Sequence, residues 1–110
     1  MYLTLLPDLR MPRPLGLTSI RILAAVQEGT RYGLDIVGTT GMPSGTVYPT
    51  LARLRKRALV RASWEDSDLA EAEGRPRRRY YELTAEGRDV LATEIGRVAR
   101  IVGELREVTG

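Results

Sequence analysis

A chain of 110 residues, 43% hydrophobic and 28% charged, is long enough for one small folded domain and too rich in apolar residues for a disordered one. It contains no Cys and no His, which excludes disulfides and thiolate metal sites and removes the commonest general base and metal ligand. Catalysis is therefore not expected, and no cofactor or metal is assigned. The net charge of +3 is unevenly spread: residues 1–60 hold 8 Lys/Arg against 3 Asp/Glu, and only one of the 17 basic residues is Lys. A forked guanidinium suits phosphate or guanine, although a GC-rich genome produces the same bias.

The opening "MYLTLLPDLRMPRP" has an apolar patch, but no basic region precedes it and Pro7 and Asp8 cut it short. It reads as an N-terminal arm over residues 1–14, with Met11 an alternative start. No stretch reads as a signal peptide or membrane span, so the expected location is cytoplasmic. A first helix is predicted from a cap at Thr18 or Ser19 to Glu28, burying Ile20, Leu23 and Ala24. A short second helix spans Tyr32–Thr40, with Gly41 as its C-terminal cap. Ser44 is placed to cap a third, whose stripe Val47, Leu51, Leu54 and Ala58 follows 4-3-4 spacing. The turn between the second and third helices is only about four residues, as a helix-turn-helix requires.

After Leu59 the period changes from 3.6 to 2. In "VRASWE" the alternation puts Val60, Ala62 and Trp64 on a buried face, and "RRYYELT" alternates likewise. The polar stretch "DSDLAEAEGRP" between them reads as a loop, so the pair forms a long hairpin. The last element runs from a Thr84 cap to about Val108. Its residues Leu91, Ile95, Val98, Val102 and Leu105 make a heptad seam, with small residues Ala92, Gly96, Ala99 and Gly103 beside it. This face is wider than a two-helix coiled coil needs, which suggests packing on two surfaces, a partner's helix and the domain body. A helix folded onto its own monomer is the plainer alternative. The fold class is mainly α with a small β hairpin: a winged helix-turn-helix over residues 15–83, then a C-terminal dimerisation helix over 84–110.

Two stretches carry candidate chemistry. The third helix turns Gly45, Thr46, Pro49, Ala52, Arg53 and Lys56 away from its buried stripe. Small and hydroxylated residues at its start, Ser44 and Thr46, allow close approach to a groove floor. Tyr48 offers a phenol to a phosphate or base edge, and Arg53 a fork further along. The bland reading is a solvated amphipathic helix with bases near its negative end. The second stretch is "GRPRRRYY", whose Arg residues would track a DNA backbone or enter a minor groove. Five acids in the same hairpin, Glu65, Asp66, Asp68, Glu71 and Glu73, leave open that it neutralises itself through cross-strand pairs.

"YG" at Tyr32–Gly33, "PSGTVYPTLARL" from Pro43, "LV" at Leu59–Val60 and "GRPRRRYYELTAEG" from Gly74 resemble, in order and spacing, the PadR family of transcriptional regulators. The resemblance covers residues 18 to about 90. It implies a winged-helix homodimer that binds operator DNA, usually as a repressor, with the third helix in the major groove and the wing on the backbone or minor groove. By position it gives contact roles to Tyr32, Ser44, Thr46, Tyr48, Arg53, Arg75 and Arg78. The chain departs from the family in "RLRKRA", where the family often carries Glu and Gly. Short members hold flat aromatic ligands with aromatic side chains of the terminal helix, which has none here, so a small-molecule effector is unsupported. Double-stranded DNA and a second copy are the expected partners. The alternative function is a winged-helix protein-interaction module whose apolar terminal helix binds a different protein.

Overall fold

The computed structural model describes residues 13–110. Residues 1–12 of the expected arm, including Met11, lie outside them. In chain order the elements are α1 (Leu17–Gln27), α2 (Gly33–Thr40), α3 (Ser44–Lys56), β1 (Val60–Trp64), α4 (Ser67–Ala72), β2 (Arg79–Leu83) and α5 (Ala85–Thr109). The two strands pair antiparallel, with Val60 opposite Leu83 and Trp64 opposite Arg79. This is a winged helix-turn-helix followed by a long terminal helix.

The core is aliphatic. Ile20, Ile22, Leu23 and Val26 of α1 meet Ile36 of α2, Val47, Leu51 and Leu54 of α3, and Leu91 of α5. Tyr81 is the one aromatic residue among its buried members. Each such Leu or Ile side chain contributes about 1.5–3 kcal/mol by leaving water. α5 is seated on the same body by its first turn. Thr84 accepts from the Gly87 amide and donates to the Ala58 carbonyl, while the Thr84 amide reaches the Leu59 carbonyl. A Cβ on Gly87 would overlap that Leu59 carbonyl, so only glycine lets the helix approach so closely.

Several local expectations are corrected. α1 starts at Leu17, with Gly16 rather than Thr18 or Ser19 at its N-cap, because the chain just before it is pinned at Leu15 to α5. Tyr32 is not helical: its extended backbone bridges to Tyr80, and Arg31 accepts from the Tyr81 amide, so α2 begins one residue later. Gly41 does take the left-handed cap position, at φ 73°. Ser44 does not cap α3. The Pro43 carbonyl accepts from the Thr46 and Val47 amides, and Ser44 is the first helical residue. α3 continues through Pro49, whose missing amide leaves the carbonyl of exposed Gly45 to solvent. Ala58 lies outside the helix and is exposed. "SDLAEA" is not a loop but the short helix α4, capped by Asp66 and held by buried Ala70.

Candidate nucleic-acid interface

α3 buries Val47, Thr50, Leu51 and Leu54, and exposes Ser44, Gly45, Tyr48, Ala52, Arg53 and Lys56; Thr46 is half-buried. Thr50 organises the exposed side from beneath. Its hydroxyl donates to the Thr46 carbonyl at 2.7 Å and accepts from Arg53 Nη2 at 3.1 Å. Tyr48, 41% exposed, lays its ring over Gly33 at the start of α2, where a Cβ would overlap the ring. The glycine of the "YG" pair thereby sets the direction of the tyrosine.

The wing is built around Glu65, which is 3% exposed. Its carboxylate accepts from Arg75 Nη1 and Nη2, from the Arg78 amide at 3.1 Å and from the Tyr80 hydroxyl at 3.1 Å. Its own amide donates to the Arg78 carbonyl at 2.8 Å. Arg75 pulls the Glu65 carboxyl down from an ordinary 4.5 to about 2, outweighing the upward push of desolvation, with the Arg78 amide and Tyr80 hydroxyl assisting. Arg75 also meets Glu73 at 3.0 Å. Its charge is therefore committed inside the wing, which departs from the phosphate role suggested by its position. Glu65 is an interior brace and not one of a set of solvent-facing acids.

Arg77, Arg78 and Arg79 behave differently. None has a carboxylate within ion-pair distance among the described residues, where the pairs are Arg61–Glu82, Arg75–Glu65, Arg75–Glu73 and Arg97–Glu94. Aromatic faces hold them instead. The Arg78 guanidinium lies 4.2 Å from the Tyr32 ring centre, and those of Arg77 and Arg79 lie 5.7 and 5.1 Å from that of Trp64. Arg77 Nε also donates to the Glu65 carbonyl at 2.8 Å. Trp64 was expected on the buried face, but it is 55% exposed: the face that covers Val60 and Ala62 runs out at the strand's end. These rings and guanidiniums, with Tyr48 and the start of α2, line a cleft of about 600 Å³ between the wing and the helix-turn-helix. Sequence reasoning missed Trp64 as a member of this site, and offered Arg77 and Arg79 only as part of the "GRPRRRYY" run, with no particular contact role. The only available signal was the run of three Arg residues returning in register beside a strand-end tryptophan.

Along α5 the expected seam divides in two. Leu91 is 1% exposed and belongs to the chain's own core, and Val98 is half-buried against it. Between them Glu94 accepts from the Leu15 amide at 3.0 Å and from Arg97, whose Nη2 donates to the Leu15 carbonyl at 2.9 Å. Burial pushes the Glu94 carboxyl up, but Arg97 and the Leu15 amide more than offset this, so it is held below 4.5. Ile95 and, beyond Val98, Ile101, Val102, Leu105 and Val108 are exposed. Leu91 is thus no part of a free surface, and the uncovered apolar stripe is concentrated toward the helix's far end. No described helix is long and apolar enough to cross a membrane, and no acidic cluster among the described residues is arranged to hold a metal ion.

The sequence matches the model of the transcriptional regulator PadR-like family over residues 22–93. No curated protein matches it. Among solved structures it resembles a PadR family transcription regulator from Clostridium difficile R20291, at 25% identity and a TM-score of 0.75, over 86% of this chain and 100% of that one. It also resembles smu.1704 from Streptococcus mutans UA159, at 27% identity and a TM-score of 0.73, over 90% and 93% of the two chains. Bordetella bronchiseptica BpsR, whose DNA binding is regulated by 6-hydroxynicotinic acid, shares the fold at 20% identity and a TM-score of 0.69, over 88% and 66%. A match to this family model over residues 22–93, on a winged-helix fold with an exposed third helix and an arginine-rich wing, places the protein in the PadR-like family of transcriptional regulators.

Proposed function

We propose that the protein is a cytoplasmic, sequence-specific DNA-binding repressor that acts as a homodimer on an inverted-repeat operator. The observation that carries this reading is the cleft edge. Three guanidiniums with no carboxylate partner among the described residues stand across the cleft from Tyr48 of α3, a charge arrangement suited to phosphates flanking a groove. In this reading Ser44, Thr46, Tyr48 and Arg53 face base edges and adjacent phosphates. Arg78 contacts the backbone, Tyr32 supports Arg78, and Arg75 braces the wing. The dimer forms through Ile95, Val102 and Leu105, with Val98 at its margin, while Leu91 stays in the chain's own core. A two-fold dimer favours half-sites centred about 34 Å apart.

Titration of wild type against a selected operator and a random duplex, over a range of salt, tests this. Arg78→Ala weakens both complexes and flattens the log–log salt slope by about 0.9. Thr46→Ala costs about 1–3 kcal/mol on the operator and little on random DNA. Absence of salt-dependent binding by wild type would overturn the proposal. The exposed far end of α5 would then favour the other reading, an interaction module for a different protein.

A further inference from the structure

We infer that Trp64 is a positioning residue for DNA binding: its indole holds the guanidiniums of Arg77 and Arg79 extended along the wing edge without neutralising them. The inference rests on the DNA-binding reading and adds Trp64 to it.

The argument begins from the contrast within one short stretch. Arg75 is fixed by carboxylates, and its charge is cancelled where it stands. Arg77 and Arg79, two and four residues on, lie over an aromatic ring and have no carboxylate partner among the described residues. A carboxylate and an indole face both restrain a guanidinium, but only the indole leaves its full positive charge for a third party. Arg79 shows how firmly it is held. Its Nε is shut off from solvent with no hydrogen-bond partner among the described residues, a costly arrangement for a charged group. Contact with the electron-rich ring face offsets part of that cost.

The ring itself is misplaced for a purely structural role. Trp64 is the chain's single tryptophan, sits at the end of β1, and is more than half exposed in a chain whose core buries only one aromatic residue, Tyr81, among the described residues. It lines the cleft that faces α3, together with both arginines it carries. A free arginine side chain loses considerable rotamer freedom when it grips a phosphate. One already extended along a ring has lost most of it beforehand, so more of the contact survives as affinity.

The test is a cycle on the full chain with Trp64→Leu, which keeps apolar bulk but removes the ring, and Trp64→Tyr, which keeps a ring. Binding to operator and random duplexes is measured across salt in wild type and in an Arg77→Ala/Arg79→Ala background. Trp64→Leu is expected to weaken both duplexes by about five- to tenfold in the wild-type background and by less than about twofold in the background lacking both arginines. Its salt slope stays that of wild type, because the charges remain, whereas the double alanine variant flattens the slope by nearly 2 log units. Trp64→Tyr restores most of the affinity. Equal losses in both backgrounds would overturn the inference and make Trp64 a direct contact; wild-type affinity in Trp64→Leu, with a native melting transition, would also overturn it. If wild type itself binds no DNA in a salt-dependent way, the parent reading fails instead, and this inference falls with it.

Discussion

Arg75 donates from both terminal nitrogens to the buried carboxylate of Glu65, at 2.6 and 2.7 Å, and from Nε to Glu73. The pair ties the return of the wing to the end of its outgoing strand. Removing Arg75 strands a carboxylate that is shielded from solvent, which is more damaging than never having had the pair. Arg75→Ala is expected to lower the melting temperature by at least about 5 °C. Arg77→Ala, which removes no carboxylate's partner, should move it by less than half as much. Matched calorimetric scans of the two variants decide this; equal melting temperatures would show that the pair contributes nothing to the wing.

The same carboxylate sets an acid limit. Glu65 titrates at about 2 in the folded chain against an ordinary 4.5, and Glu94 is also held below 4.5. A carboxyl whose value is depressed by folding adds stability that is fully present above its unfolded value and is lost as pH falls through its folded one. Melting temperature should therefore change little between pH 7 and 5 and fall steeply from about 4.5 toward 2. Glu65→Gln should start lower at neutral pH and show a shallower acid fall. Thermal melts at closely spaced pH values would expose a mistaken assignment if the two curves run parallel.

Gly33 governs the placement of Tyr48. A methyl group at position 33 displaces the end of a flexible side chain rather than backbone. Gly33→Ala is thus expected to shift the melting temperature by only a few degrees while costing about 1–2 kcal/mol on the preferred duplex. Adding Tyr48→Phe to Gly33→Ala should cost little more, because the phenol is already out of place. A competition assay reads both; full affinity in Gly33→Ala would show that the tyrosine's direction is irrelevant.

The divided seam of α5 gives residues of one sequence pattern two different phenotypes. Leu105, 59% exposed, should matter to association alone, and Leu105→Asp is expected to yield a folded monomer at tens of micromolar where wild type is dimeric. Leu91, inside the core, should matter to folding: Leu91→Ala is expected to cost about 2–5 kcal/mol. Sedimentation with parallel denaturant melts separates the two. A dimeric Leu105→Asp would place the interface elsewhere.

Period and turn chemistry made most of the fold legible. The three helices, the two strands and the Thr84 cap follow from spacing and cap residues, because those signals are local. Local signals misjudge Ser44 and the short helix α4, and other departures are set by distant partners. α1 starts where Glu94 and Arg97 clamp Leu15, 79 and 82 residues away in sequence. Tyr32 leaves its helix to bridge Tyr80. Trp64 obeys the alternation of β1, yet the apolar core that covers Val60 and Ala62 stops short of the strand's end, and it stays more than half exposed. The departure noted in "RLRKRA" has a physical counterpart in Ala58. It sits at φ +58° in the hydrogen-bonded helix end where the Leu59 amide reaches the Leu54 carbonyl, a position that favours glycine. At the candidate site, the exposed start of α3 could be read from the sequence. The choice between the arginines could not, since "GRPRRR" does not reveal which of them a buried carboxylate will claim.

The position of Trp64 also makes the wing its own reporter. With one tryptophan in the chain, selective excitation of indole fluorescence samples the wing edge and no other part of the molecule. The ring is partly open to solvent and stacked by arginines, so its emission colour and anisotropy respond when something fills the cleft or draws a guanidinium away. Association can therefore be followed in unmodified protein, without a dye on the nucleic acid. A change in emission would arise at the wing rather than along the far end of α5, which carries no aromatic side chain.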